Sequence, residues 1–519
     1  MARRPREALP STDEIHDLDA VAVADERRRE RGAPDDDEVV LDGNAARINV
    51  QTLEQLLHRH RLLEIVGIPV ERNAHGRGSE NCTLGGMGPG APPTAAVFNR
   101  REALDRFRRT RRRTRALFDL LDPAAYFHKP IALRNPIVFY EGHLPAFAVN
   151  TLIKKGLGRP GVDEHLETIF ARGIDPEQEA AAVARGNPAW PDRGTVRAYA
   201  DAADALIEDA IANADVERDD HPLLRHAQAV WAIVEHEEMH QETLAYMWHR
   251  VPYEWKTKPA HYVTVPPRLR DGPRASRALV PAGMATLGTP DGEPFAWDNE
   301  RPSRRVEVPA FEIDTLNVTN ADFLRFVDAG GYRDPRYWRP EDWAWVQEDR
   351  VAHPPFWEQR DGAWYWRAMF EHVGIEAAAA WPVYVTWAEA NAYARWRGER
   401  LMTEAEFVRA SAGSSPVNVD FARFDPVPVG SASGVSEFGV YDLVGNGWEW
   451  TADVFAPFDG FTPLPSYPEY SADFFDGDHF VMKGASPVTA RGLIRPGFRN
   501  WFRPRYPYVY AAFRCVKTT

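Results

Sequence analysis

Apolar residues recur at helical spacing through the first half of the chain, from about residue 100 onward. In REALDRFRRTRRRTRALFDLL the apolar positions follow a period close to 3.6 residues, and arginines fill the opposite face. Three more helices are predicted in VFYEGHLPAFAVNTLIKKGL, RGTVRAYADAADALIEDAIANA and HPLLRHAQAVWAIVEHEEMHQETLAYMWHR. Four amphipathic helices joined by loops predict a helical bundle over residues 100–262.

The pattern changes after residue 263. Short apolar runs such as RALVPAGMATLG and RRVEVPAFEIDTLNVT alternate with glycine, proline and asparagine, which is typical of strands and tight turns. Helices are predicted for TWAEANAYARWRG and TEAEFVRASAG. We therefore predict an α+β domain over residues 275–519, joined to the bundle by a linker rich in proline, glycine and arginine.

Residues 1–95 have a different composition from the rest of the chain. Residues 1–44 are rich in charge and poor in aromatic residues, so they are predicted to be disordered. A short helical pattern lies near residues 50–66, and residues 73–95 form a Gly/Pro-rich linker. We predict a disordered or linker extension that carries one short helix.

Composition and charge narrow the class of protein. The chain has 519 residues with a formal net charge of −14, which argues against nucleic acid or an anionic membrane as partner. The two cysteines, Cys82 and Cys515, exclude a disulfide framework and any site that needs four thiolates. No apolar run approaches the roughly 20 residues of a membrane span, and no secretion signal is recognised. We expect a cytoplasmic monomer or homodimer that acts on small molecules.

The segment HEEMHQE carries the clearest candidate chemistry. His236 and His240 lie four residues apart, so a helix places both imidazoles on one face. A third ligand must come from another helix, and His143 in RNPIVFYEGHLPAF is the candidate because bundles build metal sites from facing helices. Three neutral imidazoles leave open coordination positions. Iron(II), zinc or copper would suit such a site, and a simple solvated or buried histidine pair is the competing interpretation.

The segments RNPIVFYEGHLPAF and HEEMHQE resemble the DinB-like bundle of the iron(II)-dependent sulfoxide synthases of ergothioneine biosynthesis. The second half resembles the formylglycine-generating/sulfatase-modifying type of domain, a C-type-lectin-like α+β fold. The segments that carry this second likeness include VPAGMATLG, FAWDNERPSRRVEV and GVYDLVGNGWEWTADVF. The resemblance covers roughly residues 100–519.

The resemblance implies a reaction and a set of metal ligands. The family uses O2 to join a thiol, cysteine or γ-glutamylcysteine, to the imidazole ring of hercynine and to oxidise the sulfur. It implies that Fe(2+) is held by His143, His236 and His240. It also implies that Glu242 accepts a hydrogen bond from a ligand imidazole. A plain glutamate on the helix surface is the alternative interpretation.

In the second domain, the FRNW motif matches family positions that contact the histidine betaine. The face of Trp501 would hold the quaternary ammonium group, and the amide of Asn500 would donate to the carboxylate. The alternative interpretation is that FRNW is scaffolding, with Trp501 in the core.

Three departures from the family pattern bear on the substrate. Met239 stands where many members have a glutamine that contacts the imidazole. Phe502 follows Trp501 where some members have an aspartate, with Arg503 and Arg505 nearby, so cysteine or another thiol stays open as the donor. The predicted substrate-binding residues therefore include Met239, Arg503 and Arg505, in addition to Asn500 and Trp501.

The third departure concerns the catalytic tyrosine of the family. The matching stretch is interpreted as APFDGF, where Phe458 has no proton to donate. Tyr506, Tyr508 and Tyr510 of YPYVY are weak candidates in its place, although alternating tyrosines also suit a strand.

Several alternatives stay open at this point. An ovothiol-type synthase would act on histidine to give 5-histidylcysteine sulfoxide, and a selenoneine-type synthase would use a selenium donor. A non-catalytic binding protein of the same fold and a zinc or nickel thiol transferase are further possibilities. Formylglycine generation is excluded because it needs a cysteine pair in the second domain, which contains Cys515 alone.

Overall fold

A computed structural model describes residues 38–40, 47–49, 98–171, 190–260, 262–263 and 273–518. They belong to two units, residues 1–71 and residues 72–519. In the first unit, strands β1 (Glu38–Val40) and β2 (Arg47–Asn49) pair in antiparallel fashion. Strand β1 lies within residues 1–44, the segment for which the sequence predicts disorder. The predicted helix near 50–66 and the linker 73–95 lie outside the described residues.

The first half of the larger unit is helical, as the apolar periodicity predicts. Its helices are α1 (Arg100–Asp119), α2 (Ile137–Ala148), α3 (Glu164–Ile169), α4 (Arg193–Asn213) and α5 (Gln228–Arg250). Helix α2 continues directly as a π-helix, Val149–Gly156. Side-chain caps begin two of the long helices, because Asn99 accepts from the Glu102 N–H and Asp192 accepts from the Thr195 N–H. The four predicted helices are therefore present, with the short α3 between the second and third.

The face of α1 that sequence periodicity assigns to arginine is partly buried. Arg111 is only 6% exposed; its Nε donates to Asp204 of α4 at 2.8 Å, and its Nη1 lies 2.8 Å from Glu237 of α5. Acidic groups on two neighbouring helices compensate the buried charge. The prediction of an outward-facing arginine is wrong at this position.

The second half of the unit is a mixed α+β structure. Its helices are α6 (Asn320–Asp328), α7 (Pro340–Glu348), α8 (Trp387–Trp396), α9 (Glu404–Ala410) and α10 (Glu469–Ala472). The predicted helices correspond to α8 and α9. Each begins with a capping box, formed by Thr386 with Glu389 and by Thr403 with Glu406.

Thirteen strands accompany these helices among the described residues. They are β3 (Arg277–Val280), β4 (Gly283–Leu287), β5 (Arg304–Val308), β6 (Phe311–Asp314), β7 (Trp357–Arg360), β8 (Ala363–Arg367), β9 (His372–Gly374), β10 (Arg400–Leu401), β11 (Gly447–Val454), β12 (Phe480–Ala485), β13 (Asn500–Phe502), β14 (Ala511–Ala512) and β15 (Cys515–Thr518).

Two four-stranded sheets organise this half. One has the antiparallel order β10-β15-β6-β3, and the other has the order β13-β12-β11-β14, in which only the β11–β14 pair is parallel. Strands β4–β5 and β7-β8-β9 form smaller antiparallel sheets. In β13, Asn500 lies opposite Met482 and Trp501 lies opposite Val481, so the sheet fixes the FRNW motif.

A buried ion pair links these sheets. Arg514, between β14 and β15, and Glu449 of β11 both have side chains with 0% exposure. The Nε of Arg514 donates to Glu449 at 2.9 Å, and the amide of Asn317 donates to the same carboxylate at 2.7 Å. Removal of one partner would leave the other charge buried and uncompensated.

None of the helices in the described part of the chain is long and apolar enough to cross a membrane.

We predict that Arg514→Met lowers the free energy of unfolding by about 3–5 kcal/mol, because Glu449 then lacks its charged partner. The double variant Arg514→Met/Glu449→Leu should regain most of that loss. Urea unfolding followed by tryptophan fluorescence measures both variants. Equal losses in the single and double variants would contradict the stated cause.

Candidate metal centre

Three histidines from two helices meet in the bundle. His236 and His240 lie one turn apart on α5, and His143 lies on α2. One possible ligand atom from each lies within 4.8 Å of those of the other two. The ring centroids are 5.2 Å apart for His143–His236, 5.1 Å for His143–His240 and 4.5 Å for His236–His240. The structure therefore brings together the three residues that the sequence predicts as ligands.

Aromatic rings enclose this cluster. Phe147 stacks on His236 with centroids 3.6 Å apart, and Phe139 stacks on His143 at 5.0 Å. Burial lowers the pKa of His143 to about 4, and it lowers the pKa values of His236 and His240 well below the usual range. The imidazoles are therefore neutral near pH 7, the form in which nitrogen can bind a metal.

The hydrogen bonds of the cluster fit a metal ion. Nδ1 of His143 lies 2.8 Å from the carbonyl oxygen of Phe170, so it carries the proton and leaves Nε2 as the ligand atom. Nδ1 of His236 and Nδ1 of His240 are buried, with no hydrogen-bond partner among the described residues. Unpartnered buried nitrogen is unfavourable, and a bound cation would satisfy part of this deficit. Three nitrogen ligands suit a divalent transition metal with open positions.

Glu242 does not have the role that the family resemblance implies. Its Oε1 accepts from Trp448 Nε1 at 2.7 Å and from Ser486 Oγ at 2.6 Å, and its Oε2 accepts from Thr489 Oγ1 at 2.7 Å. All three donors belong to the α+β half. The carboxylate therefore anchors α5 to that half, and no hydrogen bond joins it to a described histidine ligand. Position along the helix could not reveal this, because the partners are more than 200 residues away in sequence.

Glu235 forms a second anchor, directly before His236. Its Oε2 accepts from Trp297 Nε1 at 2.9 Å, and its Oε1 accepts from Arg495 Nη1 at 2.9 Å. Arg495 Nε also donates to Glu300 at 2.8 Å. The metal-binding segment of α5 is thus fixed to the α+β half before its first histidine and after its second.

A cavity of about 310 Å³ opens beside the histidine cluster. It reaches His240 and is lined by four of the predicted substrate-binding residues, which are Met239, Asn500, Trp501 and Arg503. Aromatic side chains form much of the remaining wall, including Trp448, Tyr470, Phe474, Phe498, Phe502 and Tyr506. A small, mostly apolar cavity with a few polar groups beside a metal centre is the expected form of a small-molecule site.

Trp501 has one face covered and one side toward the cavity. Phe455 stacks on it at a centroid distance of 4.2 Å with an interplanar angle of 5°, and Tyr470 meets it edge-on at 5.3 Å. Asn500 Oδ1 accepts from the Trp501 backbone N–H at 2.9 Å, which leaves the amide nitrogen as a donor. Trp501 is half-buried, so it is not a core residue.

Other predicted site residues lie outside the cavity. Arg505 Nε donates to Asp342 at 3.0 Å, and Arg505 does not line the cavity, so its predicted contact with substrate stays a prediction. Tyr510 is buried with its hydroxyl 3.0 Å from Nδ1 of His249, and Tyr508 packs against Arg250, whose Cζ lies 5.3 Å from the ring centroid. Of the three tyrosines in YPYVY, Tyr506 alone lines the cavity.

Sequence reasoning missed two tyrosines of the segment SYPEY. The Tyr470 hydroxyl lies 3.1 Å from Sδ of Met239 and lines the cavity. The ring centroid of Tyr467 is 6.2 Å from that of His236. Phe458, interpreted above as the counterpart of the family tyrosine, instead packs against Arg499, with Cζ 4.3 Å from its ring centroid. The Tyr467-Pro468 dipeptide was the available signal, and it lies beyond the APFDGF stretch.

Comparison with known proteins agrees with this architecture. Residues 106–244 match the DinB superfamily, and residues 264–519 match the sulfatase-modifying factor enzyme 1-like domain. These matches confirm the predicted fold class.

Some relatives match most of this chain. The chain is 33% identical to hercynine oxygenase of Mycolicibacterium smegmatis, over 80% of this chain and 98% of the relative. It is 33% identical to hercynine oxygenase of Mycolicibacterium thermoresistibile, over 81% of this chain and 95% of the relative. It is 25% identical to ergothioneine biosynthesis protein 1 of Neurospora crassa, over 77% of this chain and 55% of that protein.

We predict that His236→Ala abolishes stoichiometric metal binding, because two imidazoles remain where three are required. His165→Ala, at an exposed position on α3, is the matched control and should retain the metal. Elemental analysis after anaerobic loading with iron(II) measures both. Full metal content in the His236 variant would remove this residue from the site.

We predict that Glu242→Ala lowers the free energy of unfolding by about 3 kcal/mol or more, because three buried donors lose their acceptor. Glu242→Gln should lower the free energy of unfolding by only about 1 kcal/mol, because the Thr489 hydroxyl can rotate and accept a hydrogen bond from the new amide. Thermal unfolding of the metal-free protein compares the two. An equal midpoint for the alanine and glutamine variants would contradict the anchoring role.

Proposed function

This chain belongs to the hercynine oxygenase family, and on that premise we propose that it joins a thiol to the imidazole ring of hercynine and oxidises the sulfur, with O2 as oxidant. The observation that carries the proposal is the opening of the three-histidine centre onto a cavity lined by Asn500 and Trp501. Substrate and metal would then meet at His240, because this residue belongs to the histidine cluster and also lines the cavity.

We propose iron(II) as the metal, held by His143, His236 and His240. The neutral imidazole set fits a divalent transition metal, and O2 chemistry requires a redox-active one. Bound iron would supply that redox chemistry and open positions for small ligands. The contribution of the chain is to hold the imidazoles neutral, to exclude water with Phe139 and Phe147, and to orient the substrate.

The cavity offers complementary groups for hercynine. The open side of Trp501 would receive the trimethylammonium group, because an indole face attracts a cation. The amide of Asn500 would donate to the carboxylate. Met239 has no strong hydrogen-bonding group, so it would contact the imidazole ring only through its apolar thioether.

We propose Tyr470 as the phenol that meets the substrate in the cavity. Its partner is the sulfur of Met239, a weak acceptor, so the hydroxyl can turn to a substrate. Burial raises the pKa of Tyr470 well above its usual value, and the hydroxyl therefore keeps its proton near pH 7. It would act as a hydrogen-bond or proton donor at Oη. Tyr467, beside His236, is the second phenol in this region.

The donor is proposed as a thiol, either cysteine or γ-glutamylcysteine. The alternatives are a selenium donor, histidine in place of hercynine, and loss of turnover. A product assay separates them. A cytoplasmic location and a monomeric or homodimeric state stay predictions from the sequence.

We predict a hercynyl sulfoxide as the product. The full chain is loaded anaerobically with iron(II) and mixed with hercynine or histidine, each with cysteine, γ-glutamylcysteine or a selenosugar, before air is admitted. Product masses identify the donor and acceptor together. A histidyl or selenium product would replace the proposed reaction, and absence of any product with iron bound and O2 unconsumed would overturn it.

We predict that Trp501→Leu raises the KM for hercynine by about 10-fold, the value expected for loss of a partly desolvated cation–π contact, with a smaller effect on kcat. Trp364→Phe is the matched control, because Trp364 packs against His353 and Trp357 away from the cavity. Steady-state kinetics measures both variants. An unchanged KM in the Trp501 variant would show that the ammonium group binds elsewhere.

A further inference from the structure

One cation on the cavity wall has no acidic partner among the described residues. Arg134 lies just before α2, and its Nε donates to the hydroxyl of Tyr506 at 3.0 Å. Its Cζ lies 5.6 Å from the ring centroid of Tyr506 and 5.7 Å from that of Tyr246. The described part of the chain supplies no ion pair and no further hydrogen bond to this guanidinium, so its two Nη groups are free.

Several buried or half-buried arginines of this protein form ion pairs with carboxylates, as in Arg111 with Glu237, Arg495 with Glu235, and Arg514 with Glu449. Arg250 instead donates to two backbone carbonyl oxygens. A charge that leaves water without a counter-charge is unfavourable. Arg134 is half-buried and is therefore available to pair with an anion.

No described group of the cavity wall pairs with this guanidinium as an anion. Glu242 is the one carboxylate among the described lining residues, and its hydrogen bonds go to Trp448, Ser486 and Thr489 and not to Arg134. His479 also lines the cavity, with its Nδ1 2.9 Å from the carboxylate of Asp476. The guanidinium of Arg134 therefore forms no ion pair with a described residue of the cavity wall.

The guanidinium is also held in place before any ligand arrives. Tyr246 and Tyr506 contact it, and Tyr506 stacks on Phe502 with centroids 4.8 Å apart and an interplanar angle of 18°. Phe502 follows Trp501 in β13, so the arginine and the indole belong to one continuous wall. A guanidinium that is already oriented loses little conformational entropy when it binds.

We propose that Arg134 is a substrate-binding residue whose Nη groups take the α-carboxylate of a substrate at the iron centre. A planar guanidinium pairs with a carboxylate through two parallel hydrogen bonds, which gives both affinity and orientation. The inference rests on the proposed function, in which hercynine and the thiol donor each carry an α-carboxylate. Either could be the source, and the experiment separates them.

The test compares carboxylated ligands with analogues that lack the carboxylate. Hercynine is paired with trimethylhistamine, and cysteine is paired with cysteamine. Affinities of the full-length, iron-loaded protein are measured anaerobically by calorimetry for the wild type, Arg134→Met and Arg134→Lys. Loss of a charged hydrogen-bonded pair should weaken one carboxylated ligand by about 10- to 100-fold in Arg134→Met. Its decarboxylated analogue should change by less than about twofold, because it has no group for the guanidinium.

Arg134→Lys keeps the charge and loses the bidentate geometry, so it should give an intermediate loss with the carboxylated ligand alone. If Arg134→Met does not fold, the Arg134→Lys variant alone tests whether Arg134 binds the carboxylate. Selective loss for hercynine identifies the betaine as the ligand, and selective loss for cysteine identifies the donor.

A structural role would give a different result. Equal weakening of the carboxylated ligand and its analogue, or no weakening of either, would overturn the assignment of Arg134. Arg250→Met is the matched control, because that guanidinium also stacks on aromatic rings, Phe356 and Tyr508, but lies outside the cavity. It should not discriminate between the two members of a pair.

Failure of the proposed function would be visible separately, in the wild type. A wild type that binds neither hercynine nor histidine would refute that function. A wild type that binds hercynine, with a variant that fails to discriminate, would refute only the role of Arg134.

Discussion

The compensation of buried carboxylates along α5 is the constraint on which the rest of the structure depends. Four glutamates lie within eight residues of this helix, each at most 8% exposed, and each has partners on a defined side. Glu237 and Glu238 face α1, where Thr114 and Arg106 donate to them. Glu235 and Glu242 face the α+β half. Because uncompensated buried charge is strongly unfavourable, these pairings fix the rotation of α5 and turn His236 and His240 toward α2.

The same constraint explains why the site needs both halves of the larger unit. Helix α5 supplies His240 and Met239, whereas β13 supplies Asn500 and Trp501. The two sets share one cavity because the anchors at Glu235 and Glu242 hold the helix against the sheet. A shift of α5 by one turn would unpair these glutamates and would also remove the histidines from His143. In the proposed function, the packing of the two halves would therefore couple metal binding to substrate binding.

The features that could be predicted from the sequence depend on local spacing or on motifs shared with a known family. The four-residue spacing of His236 and His240 follows from helix geometry, and the helical periodicity identified the bundle. The errors concern contacts between residues distant in sequence. Position alone could not show that Glu242 meets Trp448, or that Arg505 meets Asp342. Tyr470 lies in the four-residue helix α10 between β11 and β12, which is too short for an apolar periodicity to reveal it.

The charge of the site also follows from these contacts. Three neutral imidazoles contribute no charge, the hydrogen bonds of Glu242 go to the α+β half, and Arg134 adds a cation that forms no ion pair with a described residue. A divalent metal held by His143, His236 and His240 would therefore have no anionic ligand in that set until a substrate binds. Such a field favours a carboxylate at the wall and the thiolate form of a sulfur ligand near the metal. In the proposed function, the carboxylate and thiolate groups of the substrates would supply the anionic partners of the metal and of Arg134.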